Sequence, residues 1–137
     1  MNIQAYLYFN GRCAEAVEFY RRALGAQVET MMRVSDIPEP PPPGALPPGS
    51  ENNVMHAALK VGDSFLLASD GMAAGPAQFA GFNLSLQMPD ASAANRVFAA
   101  LADGGTVQMP LGKTFWSPLF GIVRDRFGVA WMINQVA

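Results

Sequence analysis

From its amino terminus the chain alternates. Ile3, Ala5 and Leu7 stand against Gln4, Tyr6 and Tyr8, a period of two that predicts a strand over residues 3–9. Asn10-Gly11 breaks it. The period then lengthens: Cys13, Val17, Tyr20 and Leu24 share one face of a helix over residues 13–24. Arg21 and Arg22 suit its C-terminal dipole, and Gly25 is a left-handed stop. Alternation returns over 27–34. After a long break, residues 54–61 and 65–69 form two strands joined by Gly62-Asp63.

The second half repeats this order. Residues 82–88 predict a strand, and Asp90 caps a helix running to about residue 102. Ala94, Val97, Phe98 and Leu101 form its buried face, and Gly104-Gly105 ends it. A strand follows over 106–109. The stretch 114–134 then gives two strands around a tight turn at 125–128. Residues 19–28 and 97–107 also echo each other, with one residue inserted. The chain thus reads as one β-α-β-β-β unit written twice, with modules 1–70 and 81–137 and a Gly/Ala-rich linker at 71–80. The whole is taken as a single domain.

Residues 35–53 break the pattern. Their prolines lack the amide proton a sheet ladder needs, so the segment predicts an extended, partly polyproline loop. Such a loop serves as a lid or dimer contact, and proline runs such as 40–43 also bind partner modules.

Composition narrows the function. The 137 residues are 50% hydrophobic and carry a formal charge of −2 with two lysines, Lys60 and Lys113. No basic run supports nucleic-acid binding, and no apolar stretch is long enough to span a bilayer. No signal-peptide pattern opens the chain, and the single Cys13 suits a reducing cytoplasm. The expected location is cytoplasmic.

The residues Tyr8-Phe9-Asn10-Gly11 with Ala14, Ala16 and Tyr20, then Ser69-Asp70-Gly71-Met72, Gly81-Phe82 and Thr114-Phe115-Trp116, carry a resemblance. Asp125-Arg126-Phe127-Gly128-Val129 and Trp131-Met132-Ile133-Asn134 complete it. On these the chain resembles the vicinal oxygen chelate superfamily (glyoxalase, bleomycin-resistance and extradiol dioxygenase proteins), and within it the PhnB-like branch. The resemblance implies an α+β fold of two β-α-β-β-β modules, each a cupped mixed sheet with its helix on the convex face. It also implies a homodimer. Some PhnB-like proteins carry a ubiquinone methyltransferase label, but no Gly-rich nucleotide loop follows a strand here.

Metal-dependent members of that superfamily place His, Glu or Gln ligands on the first and last strands of each half. By alignment those positions fall near Gln4, Leu67 or Ala68, Phe82 or Asn83, and Met132. Only Gln4 offers a suitable oxygen, so the expectation is no metal and no cofactor. A divergent metal-dependent glyoxalase or dioxygenase, using Gln4 and His56, is the alternative.

The expected ligand is a small organic molecule. Gln4, Tyr6 and Tyr8 share a strand face that lines the cavity in relatives, and Trp116 stands before a strand where a loop closes over a pocket. Met132 and Asn134 are assigned to the cavity, Trp131 and Ile133 to the helix-facing core. His56, the sole histidine, reads either as a partly buried hydrogen-bonded group or as a pocket residue that binds an anion or moves a proton. Cys13 reads as a small buried hydrophobe, Arg124 and Arg126 as a solvated turn with a local ion pair about Asp125, and the methionines as adaptable filling. No residue is assigned a catalytic role.

Overall fold

The computed structural model describes residues 1–39 and 41–136. Within them the chain divides into two compact units, Met1–Ala77 and Gln78–Ala137. The division falls inside the linker that composition marks.

The first unit holds β1 (Ala5–Tyr8), α1 (Cys13–Leu24), β2 (Gln27–Arg33), β3 (Val54–Val61) and β4 (Ser64–Ser69). Its sheet runs β1-β4-β3-β2. β1 lies parallel to β4, and the other neighbours are antiparallel. β1 is shorter than the alternation predicts, because Ile3 and Gln4 lie exposed ahead of the ladder. α1 ends where Gly25 turns left-handed at φ 67°. Its buried face carries Cys13, Ala16, Val17, Tyr20 and Ala23. Leu7, Ala57 and Leu59 complete that core, and each fully buried Leu or Val contributes about 1.5–3 kcal/mol.

The second unit holds β5 (Leu84–Met88), α2 (Ala91–Ala102), β6 (Thr106–Gly112), β7 (Phe120–Arg124) and β8 (Ala130–Gln135). Its sheet runs β5-β8-β7-β6, the same order as the first, with β5 parallel to β8. The duplication read from the sequence is therefore present in topology. Asp90 caps α2, its carboxylate accepting the Ala93 N–H at 2.8 Å. Ala94, Val97 and Leu101 are buried as expected, while Phe98 is half-buried. Trp131 and Ile133 are buried in this core, as alternation along β8 requires. β6 runs three residues beyond the expected end, through Pro110. An edge strand tolerates this, since its outer N–H groups need no partner.

Two expectations are corrected. The methionines are largely not filling: Met31, Met32 and Met109 are exposed on the edge strands β2 and β6, Met55 at the start of β3, and Met72 in the linker. The 35–53 segment contains two single 3-10 turns, Val34–Asp36 and Ser50–Asn52. Of the 40–43 proline run, Pro40 lies outside the described residues. No helix among the described residues is long and apolar enough to cross a membrane.

Candidate functional site

Each sheet has one face under its helix and one open face. On the first sheet the register places Tyr6 beside Leu67, and Leu67 beside Ala58. Alternation along β3 brings His56 to the same face as Ala58. Tyr6 and His56 are separated by β4, so their strands lie roughly 10 Å apart. The small Ala58 and the length of a tyrosine let the hydroxyl cross that gap to His56 Nδ1, at 3.1 Å. Tyr8 lies along the same face, its ring 5.2 Å from that of Tyr6. The Tyr6 ring is in turn 5.7 Å from the imidazole. Tyr6 and Tyr8 are 37% and 55% exposed. These are large, accessible aromatic surfaces with polar tips, suited to holding a planar molecule.

With His56 in the neutral Nε2–H tautomer, the Tyr6 O–H donates to Nδ1 and Nε2–H remains a donor. Gln4 stands ahead of β1 and is exposed, and the hydrogen-bond partner of His56 is Tyr6.

What fixes this face is a residue that sequence reading left at the edge of the linker. Asp70 is 2% exposed. Its Oδ1 accepts the N–H groups of Gly11 at 2.7 Å and Cys13 at 2.8 Å, and its Oδ2 accepts the Val54 N–H at 2.7 Å. One carboxylate thus ties the start of α1, the start of β3 and the end of β4. Gly71 follows at φ 68°, and a Cβ there would stand 2.9 Å from Tyr8 Cδ1, so glycine leaves room for the Tyr8 ring. Cys13 is fully buried beneath this junction. Burial first, then the Asp70 charge, push its thiol up to about 12, with Arg33 pulling the other way. It is a neutral packing group, as expected, and not a poised nucleophile.

The second unit also buries an aspartate, but it is met by donors within six residues of it. Asp125 is 3% exposed. Its Oδ1 accepts Phe127 N–H at 2.9 Å and Val129 N–H at 3.1 Å, and its Oδ2 accepts the Trp131 indole N–H at 2.9 Å. The flanking arginines are not simply a solvated turn. Arg126 pairs with Asp103 at 3.0 Å, and Arg124 donates to the Gly128 and Phe79 carbonyls. The only sign of such roles in the sequence is an aspartate at the end of a strand in each half.

The open face of the second sheet carries Phe120, Asn134 and Gln87 side by side across β7, β8 and β5. Asn134 Nδ2 donates to Gln87 Oε1 at 2.7 Å, and Gln87 Nε2 donates to Ser85 Oγ at 2.9 Å. Asn134 Oδ1 is buried without a hydrogen-bond partner. The Trp116 ring stands edge-on to Phe120 at 5.2 Å, and Phe115 to Trp116 at 4.8 Å. Thr114 Oγ1 accepts the N–H groups of Trp116 and Ser117, while Ser117 Oγ lies 2.9 Å from the Leu119 and Gln135 carbonyls, tying this loop to β8. Met132 and Asn134 are on the open face, opposite the core residues Trp131 and Ile133. Ser85 and Gln87 were missed. Their alternation within Leu-Ser-Leu-Gln-Met was visible, but not the parallel pairing that sets them beside Met132 and Asn134.

The residues do not fit the metal site of the fold. The open-face pairs on the first and last strands of each unit are Tyr6 with Leu67 and Ser85 with Met132. Taken unit by unit, neither pair contains an imidazole or a carboxylate, the usual protein ligands of a divalent ion. Phe82 and Asn83 lie ahead of β5. Among the described residues no three of His, Cys, Asp or Glu are grouped to hold a metal ion.

Known proteins carry the same pattern. Residues 2–133 match the family described as the Glyoxalase/Bleomycin resistance protein/Dioxygenase superfamily. Protein YjdN of Escherichia coli K12 is 35% identical over 141 residues, covering 99% of this chain and 96% of its own. The crystal structure of protein PA1353 from Pseudomonas aeruginosa is 45% identical with a TM-score of 0.86, covering 98% of this chain and 97% of that one. A PhnB protein from Bacillus cereus, named for 3-demethylubiquinone-9 3-methyltransferase activity, is 25% identical with a TM-score of 0.81, covering 99% and 100%.

Proposed function

The chain belongs to the glyoxalase/bleomycin resistance protein/dioxygenase superfamily, and on that premise we propose that it binds a small organic molecule without a metal ion. The observation that carries the proposal is the exposed Tyr6–Tyr8 platform hydrogen-bonded to His56 on a sheet face that the helix does not cover. Two aromatic faces supply stacking area at little entropic cost, and the imidazole Nε2–H supplies direction. The donor set at the fold's metal positions supports the metal-free part of the reading. Methyltransferase chemistry is not carried over from the Bacillus cereus name, since neither β1 nor β5 runs into a glycine-rich nucleotide turn.

A homodimer and a cytoplasmic location belong to the same proposal. The first is supported by apolar groups exposed on the edge strands, Val28 and Met31 on β2 and Val107 and Met109 on β6, which a second copy would cover. The second is supported by a lone, buried, neutral thiol.

The test pairs metal analysis of purified protein with melting curves, with and without chelator, across a panel of aromatic compounds. The expected result is no stoichiometric metal, no chelator effect, and melting raised by several degrees at ligand concentrations near 100 Kd. Tyr6→Phe and His56→Ala should each reduce that rise. Near-stoichiometric divalent metal, with melting lowered by the chelator, would overturn the proposal and point to metal-dependent chemistry.

A further inference from the structure

The side-chain row on the second sheet has a direction. Asn134, Gln87 and Ser85 can be linked in two senses, according to which way the two amides face. In the observed sense Asn134 gives its N–H to Gln87, and Gln87 gives its N–H to Ser85. The buried atom left over is then the Asn134 carbonyl oxygen. In the reverse sense the leftover buried group would be the Asn134 amino group. Buried N–H groups are orphaned more rarely than carbonyls, which favours the sense that leaves the Asn134 carbonyl over.

A consequence follows at the other end. Ser85 Oγ already accepts, so its own hydrogen must point elsewhere, and Ser85 is exposed on the open face. The second N–H of Gln87 is beside it. Two donors therefore stand together, and among the described residues neither is given an acceptor in its own unit. At the far end of the row, Asn134 is the register partner of Phe120, and the exposed Trp116 stands edge-on to Phe120. From Phe120 to Gln87 is two strand spacings, roughly 10 Å.

We propose that this face recognises a planar aromatic molecule bearing a hydrogen-bond acceptor, a carboxylate or a ketone. The ring lies against Trp116, and the acceptor takes the Ser85 O–H and the Gln87 N–H. The assignment rests on the small-molecule reading above and adds to it a binding face in the second unit, with its own class of ligand. The roughly 10 Å span suits a fused two-ring arene with one acceptor.

Three probes share a ring system and differ in the acceptor: naphthoate (anionic acceptor), acetylnaphthalene (neutral acceptor) and ethylnaphthalene (none). Each is titrated into the full chain while the side-chain amide signals of Gln87 and Asn134 and the Trp116 indole are followed by NMR. Affinities are measured for the native chain, Ser85→Ala and Ser85→Thr. The expected result is that the acceptor probes shift all three signals and bind about tenfold more tightly than ethylnaphthalene. Ser85→Ala should erase that advantage and Ser85→Thr restore it. If naphthoate alone shows the advantage, the acceptor is a carboxylate; if both do, a carbonyl oxygen suffices. Equal affinity for all three probes, or an advantage that survives Ser85→Ala, overturns the assignment. Binding that leaves all three signals unmoved also overturns it, while leaving the metal-free binding reading standing. Shifts of these signals with protein concentration alone would show a second copy covering the face, and would likewise overturn it.

Discussion

The Tyr6 hydroxyl and His56 Nδ1 lie 3.1 Å apart, on strands that do not touch, with β4 between them. The bond is exposed, so it adds little to stability and serves to orient the ring. Tyr6→Phe should change unfolding free energy by less than about 0.5 kcal/mol while weakening ligand binding several-fold. Urea unfolding beside a ligand titration separates the two effects. A large stability loss would make the bond structural.

Asp70 makes the opposite prediction. Its carboxylate accepts three backbone N–H groups in a buried setting. Asp70→Asn replaces one acceptor oxygen by a donor facing other donors, and should cost about 3 kcal/mol or more in urea unfolding. A loss under about 1 kcal/mol would show that the junction is held by other contacts.

The Asp125–Trp131 pair tests the buried aspartate of the second unit. Trp131→Phe keeps most of the ring volume and removes the indole donor to Asp125 Oδ2. The expected loss is about 2 kcal/mol, measured by thermal unfolding. A neutral outcome would mean the ring matters only for its bulk.

Cys13 gives the pH dependence. Its thiol is raised from an ordinary value near 9 to about 12, by burial first. The raised value means the native state keeps a proton that the unfolded chain loses. Its contribution is complete below about pH 9 and is lost as pH climbs toward about 12, with a slope approaching 1.4 kcal/mol per pH unit. Stability measured from pH 8 to 11 should fall more steeply in the native chain than in Cys13→Ala. Parallel profiles would refute the burial argument.

Gly105 tests a backbone approach. A Cβ there would collide with the Arg124 carbonyl oxygen and lie 3.0 Å from Asp125 Cα. Backbone cannot step aside as a side chain does, so Gly105→Ala should cost more than about 2 kcal/mol. Gly112→Ala, whose nearest neighbour is the Pro110 oxygen at 4.0 Å, is the control and should stay within about 1 kcal/mol in the same thermal melts.

The sequence by itself determined the elements, their order and their repetition. A helix such as residues 13–24 needs only its own 3.6-residue stripe and a glycine stop. The hairpin 54–69 needs only alternation and its own turn, so both were legible in full. It also determined which residues of β8 face the core, because Trp131 and Ile133 alternate with Met132 and Asn134 whatever their partners. The tertiary structure alone decided what touches across strands. Parallel pairing of β1 with β4 and of β5 with β8 joins segments more than forty residues apart, and its register leaves no local trace. That register sets Tyr6 within reach of His56 and Gln87 beside Asn134. The same holds for Asp70, whose carboxylate gathers amides from segments 16 to 59 residues away. Asp125 is the contrast: its Phe127, Val129 and Trp131 donors lie within six residues of it, so they belong to the local turn that the sequence already marks.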